Sequence, residues 1–123
     1  MHTVLIVDDD LNFVFWLGNA LDQTSYEALP AKNIPDAIEL LNQVTFAIDL
    51  VIVNTALQGF ADFVHCVSGI PARVIAVAEP LRAPQIPISG ADVIILKPLA
   101  ADERWKSELL DLIRSMFARG VGL

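Results

Sequence analysis

At 123 residues the chain is long enough for one domain with a substantial core, and a hydrophobic content of 54% excludes disorder. A net charge of −7 argues against a nucleic-acid-binding surface. The single cysteine, Cys66, rules out an internal disulfide and fits a reducing cytoplasm. No apolar run reaches the length of a membrane span. The longest, Val44 to Leu57, is interrupted by Asp49 and Asn54. Strand-like sequence begins at Thr3, so no secretory leader is expected.

In chain order, Thr3 to Val7 reads as a buried strand stopped by Asp8, Asp9 and Asp10. Asp10 is placed to cap a helix running to about Gln23, since its carboxylate can accept a free first-turn amide. Val14, Leu17, Gly18 and Leu21 share one face of that helix, Phe13 and Phe15 flank it, and Trp16 points away. Tyr26 to Leu29 reads as a second strand ended by Pro30. Asn33 and Pro35 then open a helix with Ile34, Ala37, Ile38 and Leu41 inward. Asp49 to Asn54 carries four consecutive apolar residues, as expected for a strand buried on both faces. A third helix follows from about Ala61 to Ser68, closed by Gly69 and Pro71, and Val74 to Ala78 is a fourth strand.

The next segment, Glu79 to Gly90, contains Pro80, Pro84 and Pro87. An interior proline costs a helix about 3 kcal/mol or more and disfavours helix in the residue before it. An irregular loop, or at most one helical turn between Leu81 and Ser89, is therefore expected. Val93 to Leu96 is the fifth strand. The last helix is expected over Ala101 to Ala118, with Trp105, Leu109, Leu112, Ile113 and Met116 at helical spacing and Asp102 and Glu103 in its first turn. Residues 1–119 form the domain and 120–123 a tail or linker stump.

Five buried strands alternating with helices give a doubly wound α/β domain with a parallel sheet. In the flavodoxin-like strand order 2-1-3-4-5, the ends of strands one and three are neighbours at the switch point. Asp8 and Asp9 would then face Asn54, with Ala78 and Lys97 beside them.

These pieces together resemble the response-regulator receiver domain of two-component signalling. The resemblance rests on Val4 to Asp9, Ala31 to Leu41, Asp49 to Asn54, Gly90-Ala91-Asp92 and Lys97-Pro98, in that order over nearly the whole chain. It implies phosphoryl transfer to an aspartate ending the third strand, Mg²⁺ held by the acidic pair, and a lysine that stabilises the phosphoryl oxygens. A hydroxyl on strand four and an aromatic residue on strand five relay the change.

Here the acceptor position is Asn54, a neutral amide unable to form an acyl phosphate. The hydroxyl position is Ala78 and the aromatic position is Ile94. Asp8, Asp9 and Lys97 remain as a vestigial metal site, with Lys97 expected to serve as an ion-pair partner. With one carboxylate fewer, Mg²⁺ binding should be weak at most and no cofactor is required. The expected function is therefore a pseudo-receiver: a phosphorylation-independent, non-enzymatic, cytoplasmic module for protein–protein interaction. Its partner would be a histidine kinase, an output domain or a second copy of itself, with no nucleic acid or membrane involved. The contact surface expected is Leu81, Ile86 and Ile88, with Trp16 second.

Two alternatives stand beside this reading. One is a receiver-like domain regulated by a ligand in the vacated pocket. The other is a flavodoxin-like enzyme, disfavoured because no phosphate-binding loop follows the first strand and no nucleophile–base pair is visible. His2 and His65 lack a second histidine at ligand spacing and read as surface residues. Cys66 reads as packed.

Overall fold

Thr3 to Val7 places five apolar or β-branched residues in succession, and all of them are buried in strand β1 (Thr3–Val7). In the computed structural model, which describes residues 2–80, 82 and 90–121, the elements that follow are α1 (Leu11–Gln23), β2 (Glu27–Ala31), α2 (Ile34–Gln43), β3 (Leu50–Asn54), α3 (Phe60–Val67), β4 (Arg73–Ala78), β5 (Val93–Leu96) and α4 (Glu103–Val121). The strands form a five-stranded parallel sheet in the order β2-β1-β3-β4-β5. This is the flavodoxin-like, doubly wound topology expected from the sequence.

Strand periodicity sorts the core into two layers. Leu5, Val7, Val51, Val53, Val74 and Ala76 point towards α2 and α3, meeting Ile34, Ala37, Phe60, Phe63 and Val64. Val4, Ile6, Leu50, Ile52, Ile75 and Val77 point the other way, onto Val14, Leu17 and Leu21 of α1 and Leu109, Ile113 and Met116 of α4. At about 25 cal/mol per Å² of apolar surface removed from water, this two-sided burial is the main force holding the sheet together.

Local chemistry fixes where the elements begin. Asp10 Oδ1 accepts the Phe13 amide and Asn33 Oδ1 accepts the Asp36 amide, so α1 and α2 are capped as the sequence suggests. Asp49 lies just ahead of β3 and clamps β1: its Oδ2 accepts the Thr3 amide at 2.8 Å, while its own amide donates to the Thr3 carbonyl at 2.9 Å. Asp92 repeats the device between β4 and β5, through Val74. Gly90 stands two residues earlier at φ +85°, where a Cβ would come 2.7 Å from Val64 Cγ1. Both the backbone and the space there call for glycine.

Several expectations need correction. Pro30 lies inside β2, opposite Ile6, because an edge strand tolerates a residue without an amide hydrogen. The edge strands β2 and β5 are only partly buried, and Ile94 and Leu96 of β5 are exposed. Asp102 precedes α4 and caps it by accepting the amides of Arg104 and Trp105. That helix continues to Val121, into the supposed tail, since one interior glycine costs only about 1 kcal/mol. On α2, Ile38 sits at the edge of the apolar stripe and is exposed. Cys66 is exposed too, off the stripe of Phe63, Val64 and Val67. His2 is half-buried, its ring stacked 3.9 Å from that of Phe117, whereas His65 is exposed as expected.

Trp16 is half-buried against α4 rather than free: its ring stacks on Trp105 at 5.9 Å, and Lys106 Nζ lies 5.6 Å above it. Trp105 in turn donates its indole N–H to the Leu96 carbonyl at 2.7 Å. The contact residues Leu81, Ile86 and Ile88, and the irregular loop expected from Pro84 and Pro87, lie outside the described residues.

Candidate functional site

Parallel register brings the carboxyl ends of the central strands together. Val7 pairs with Val53, Asn54 with Val77, and Ala78 with Leu96, so Asp8, Asn54, Ala78 and Lys97 gather at one end of the sheet. This is the crevice where ligands of open α/β sheets bind.

Asp8 and Asn54 are each 1% exposed and Lys97 is 6% exposed. Asn54 donates Nδ2–H to Asp8 Oδ2 at 3.3 Å, and its Oδ1 accepts the Ala56 amide at 2.8 Å. Partners of opposite sense at its two ends fix the orientation of the carboxamide. Lys97 Nζ lies 3.0 Å from the same Asp8 oxygen, while the other oxygen of Asp8 accepts the Asp10 amide at 2.9 Å. The Lys97 ammonium is also 4.4 Å from the centre of the Phe13 ring. Ala78 presents only a methyl group to the site, and its carbonyl accepts the Lys97 amide at 2.8 Å. Ile94 points outward from β5, 52% exposed.

Two further residues belong to the cluster and were not singled out from the sequence. Glu79, directly after β4, lies 3.4 Å from Lys97 through Oε1 and 3.0 Å from Arg82 Nη1 through Oε2. Arg82 Nη1 also reaches Asp9 Oδ1 at 3.2 Å. Asp10 Oδ2 completes the group, 3.5 Å from Lys97. The local signals were the place of Glu79 at the end of a buried strand and the spacing of Arg82 three residues after it. The link from Arg82 to Asp9, 73 positions away, left none.

Burial pushes the Asp8 carboxyl above its ordinary range, and the Asp10 amide, Lys97 and Asn54 pull it back only in part. For Asp9, the upward push of burial is outweighed by Arg82, which leaves its carboxyl lowered. Burial likewise disfavours the Lys97 ammonium, but Asp8, Glu79 and Asp10 more than offset it and hold its pKa raised.

A divalent cation at this place would need Asp8, Asp9 and a third oxygen facing one point. Instead Asp9 turns to Arg82, Asn54 and Lys97 both occupy one Asp8 oxygen, and the Asp10 amide takes the other. No three His, Cys, Asp or Glu residues among those described converge on a metal position. The residues present do not fit the ion. At the end of β3 the Asn54 amide carries no anionic oxygen, and no hydroxyl stands at Ala78.

No protein-family model matches the chain, and no curated protein sequence matches it. Solved structures do. A response-regulator receiver domain from Clostridium thermocellum superimposes with a TM-score of 0.76 at 16% identity, over 98% of this chain and 97% of its own. The CheY6 structure from R. sphaeroides, solved in complex with the P1 domain of CheA3, gives 0.72 at 18% identity over 95% and 97%. The response regulator TrrA from Thermotoga maritima, solved with Mg²⁺ and BeF, gives 0.65 at 22% identity over 91% and 99%. Across nearly its whole length, this chain has the fold of the response-regulator receiver domains.

Proposed function

We propose that this domain is a pseudo-receiver, a module of two-component signalling that acts through protein contacts and takes no phosphate. The observation that carries the reading is Asn54. It occupies the end of β3 in place of a carboxylate, and both ends of its amide are engaged, by Asp8 and by the Ala56 backbone. A phosphoryl acceptor needs an anionic oxygen free to attack, and this position has neither the charge nor a free oxygen. The absence of a hydroxyl at Ala78 and of an inward aromatic at Ile94 supports the same reading, since a phosphoryl group would have nothing to pull on.

The module is non-enzymatic and cytoplasmic, and needs no cofactor; any Mg²⁺ binding is weak. Its partner is a protein: a kinase domain, an output domain or a second copy. The CheY6 complex with the P1 domain of CheA3 is the kind of contact the fold supports elsewhere. The contact face lies on the β5 side, where Ile94, Leu96 and Leu99 are exposed and where Leu81, Ile86 and Ile88 precede them in sequence.

Incubation with phosphoramidate and Mg²⁺, followed by intact-mass spectrometry, tests the reading. The mass should remain unchanged. A phosphate adduct on the peptide containing Asn54, or on Asp8 or Asp9, would sink it.

A further inference from the structure

Glu79 divides its carboxylate between two cations, with Oε1 on Lys97 and Oε2 on Arg82. Lys97 continues to Asp8 and Arg82 continues to Asp9. Through space the charges alternate: Asp8, Lys97, Glu79, Arg82, Asp9. Each acid in the series meets a base supplied by the chain itself. An incoming divalent ion would have to take oxygens from at least two of these acids, and so displace a cation from each.

We propose that Arg82 is a built-in counter-cation: its guanidinium holds Asp9 and Glu79 in the place of a divalent ion and keeps the cluster from taking one up. This rests on the reading of the domain as phosphorylation-independent and supplies a reason for the poor fit to metal. Arginine suits the task because its charge is permanent, and here one nitrogen, Nη1, meets both carboxylates. Lys97 cannot do the same for Asp9, since its contacts are with Asp8, Glu79 and Asp10. Arg82 is also the dispensable member, with a side chain 44% exposed, so its loss removes a charge and leaves the core intact.

Mn²⁺ titration at low ionic strength, with free ion read by electron paramagnetic resonance, decides the matter. Wild type should bind no saturable Mn²⁺ at millimolar concentration. Arg82→Ala should gain one saturable site, tighter than wild type by about tenfold or more, since a neighbouring positive charge is gone. Adding Glu79→Gln to Arg82→Ala should abolish that gain. Saturable binding by wild type equal to that of Arg82→Ala would overturn the proposal. So would an Arg82→Ala protein, folded by circular dichroism, that gains nothing, or a gain that survives Glu79→Gln. Phosphoramidate labelling of the wild type in parallel keeps the two readings apart. Labelling counts against the pseudo-receiver itself, while failed Mn²⁺ arms without labelling count against the role of Arg82 alone.

Discussion

Asn54 places its side-chain nitrogen 3.3 Å from Asp8 Oδ2, the oxygen that also receives Lys97. An aspartate in its place would set one carboxylate against another. Asn54→Asp should therefore cost about 1–2 kcal/mol at pH 7, through a lost hydrogen bond and like-charge contact. The loss should fade at acid pH, as pH falls through the raised Asp8 value and one of the two acids is protonated. Urea denaturation at both pH values checks this; an equal loss at both would point to packing rather than charge. Phosphorylation of this variant should be weak and produce no conformational change, because Ala78 and Ile94 still cannot relay it.

Lys97 touches three carboxylates from a nearly buried position. Lys97→Met keeps the aliphatic bulk and leaves Asp8 without its cation, a change expected to cost about 3 kcal/mol. For a domain of this size the melting temperature should fall by about 10 °C. A variant as stable as wild type would mean that Asp8 is already neutral in the folded protein.

Asp8 and Asp9 should titrate on opposite sides of the ordinary aspartate value of 3.8. With its folded pKa raised, Asp8 binds a proton in the native state before the unfolded chain does. Its contribution to stability therefore improves as pH falls through that raised value. Asp9, held by Arg82, is lowered, so its contribution is present above the unfolded value and lost as pH drops through the depressed one. Carboxyl-detected NMR should give Asp8 the higher midpoint, and the reverse order would contradict the geometry.

At Gly90 the backbone is left-handed and the space is closed by Val64. Gly90→Ala should destabilise by about 1–3 kcal/mol, with the compensating variant Gly90→Ala/Val64→Ala recovering only the steric part. Full recovery would show that the positive φ carries no strain.

Leu96 is 65% exposed at the rim of the sheet. If association uses this face, Leu96→Lys should weaken self-association or partner binding with no change in melting temperature. An unaltered sedimentation profile and binding curve would shift the contact to another face.

The sheet was legible because its inner strands carry apolar runs that only double-sided burial explains, as Leu50 to Val53 shows. The site was half legible. Asp8, Asn54 and Lys97 each end or follow such a strand, so topology alone brings them together. Glu79 and Arg82 escaped notice because ion pairs between residues 18 or 73 positions apart leave no periodic mark on the sequence. The helical wheel misjudged Trp16 for a related reason. It measures direction from the sheet, whereas the indole is covered from the side, by α4.

The bond from the Trp105 indole to the Leu96 carbonyl bears on how this molecule can assemble. An outermost strand offers its main chain as a template on which a foreign strand could zip up. Here a tryptophan already sits on one of the acceptors that such zipping would use, anchored by a helix on the same chain. Growth of the sheet across β5 into the next molecule would first have to pry that ring away from Trp16 and Phe13. Neighbours are thus steered towards side-chain docking and away from open-ended stacking of strands.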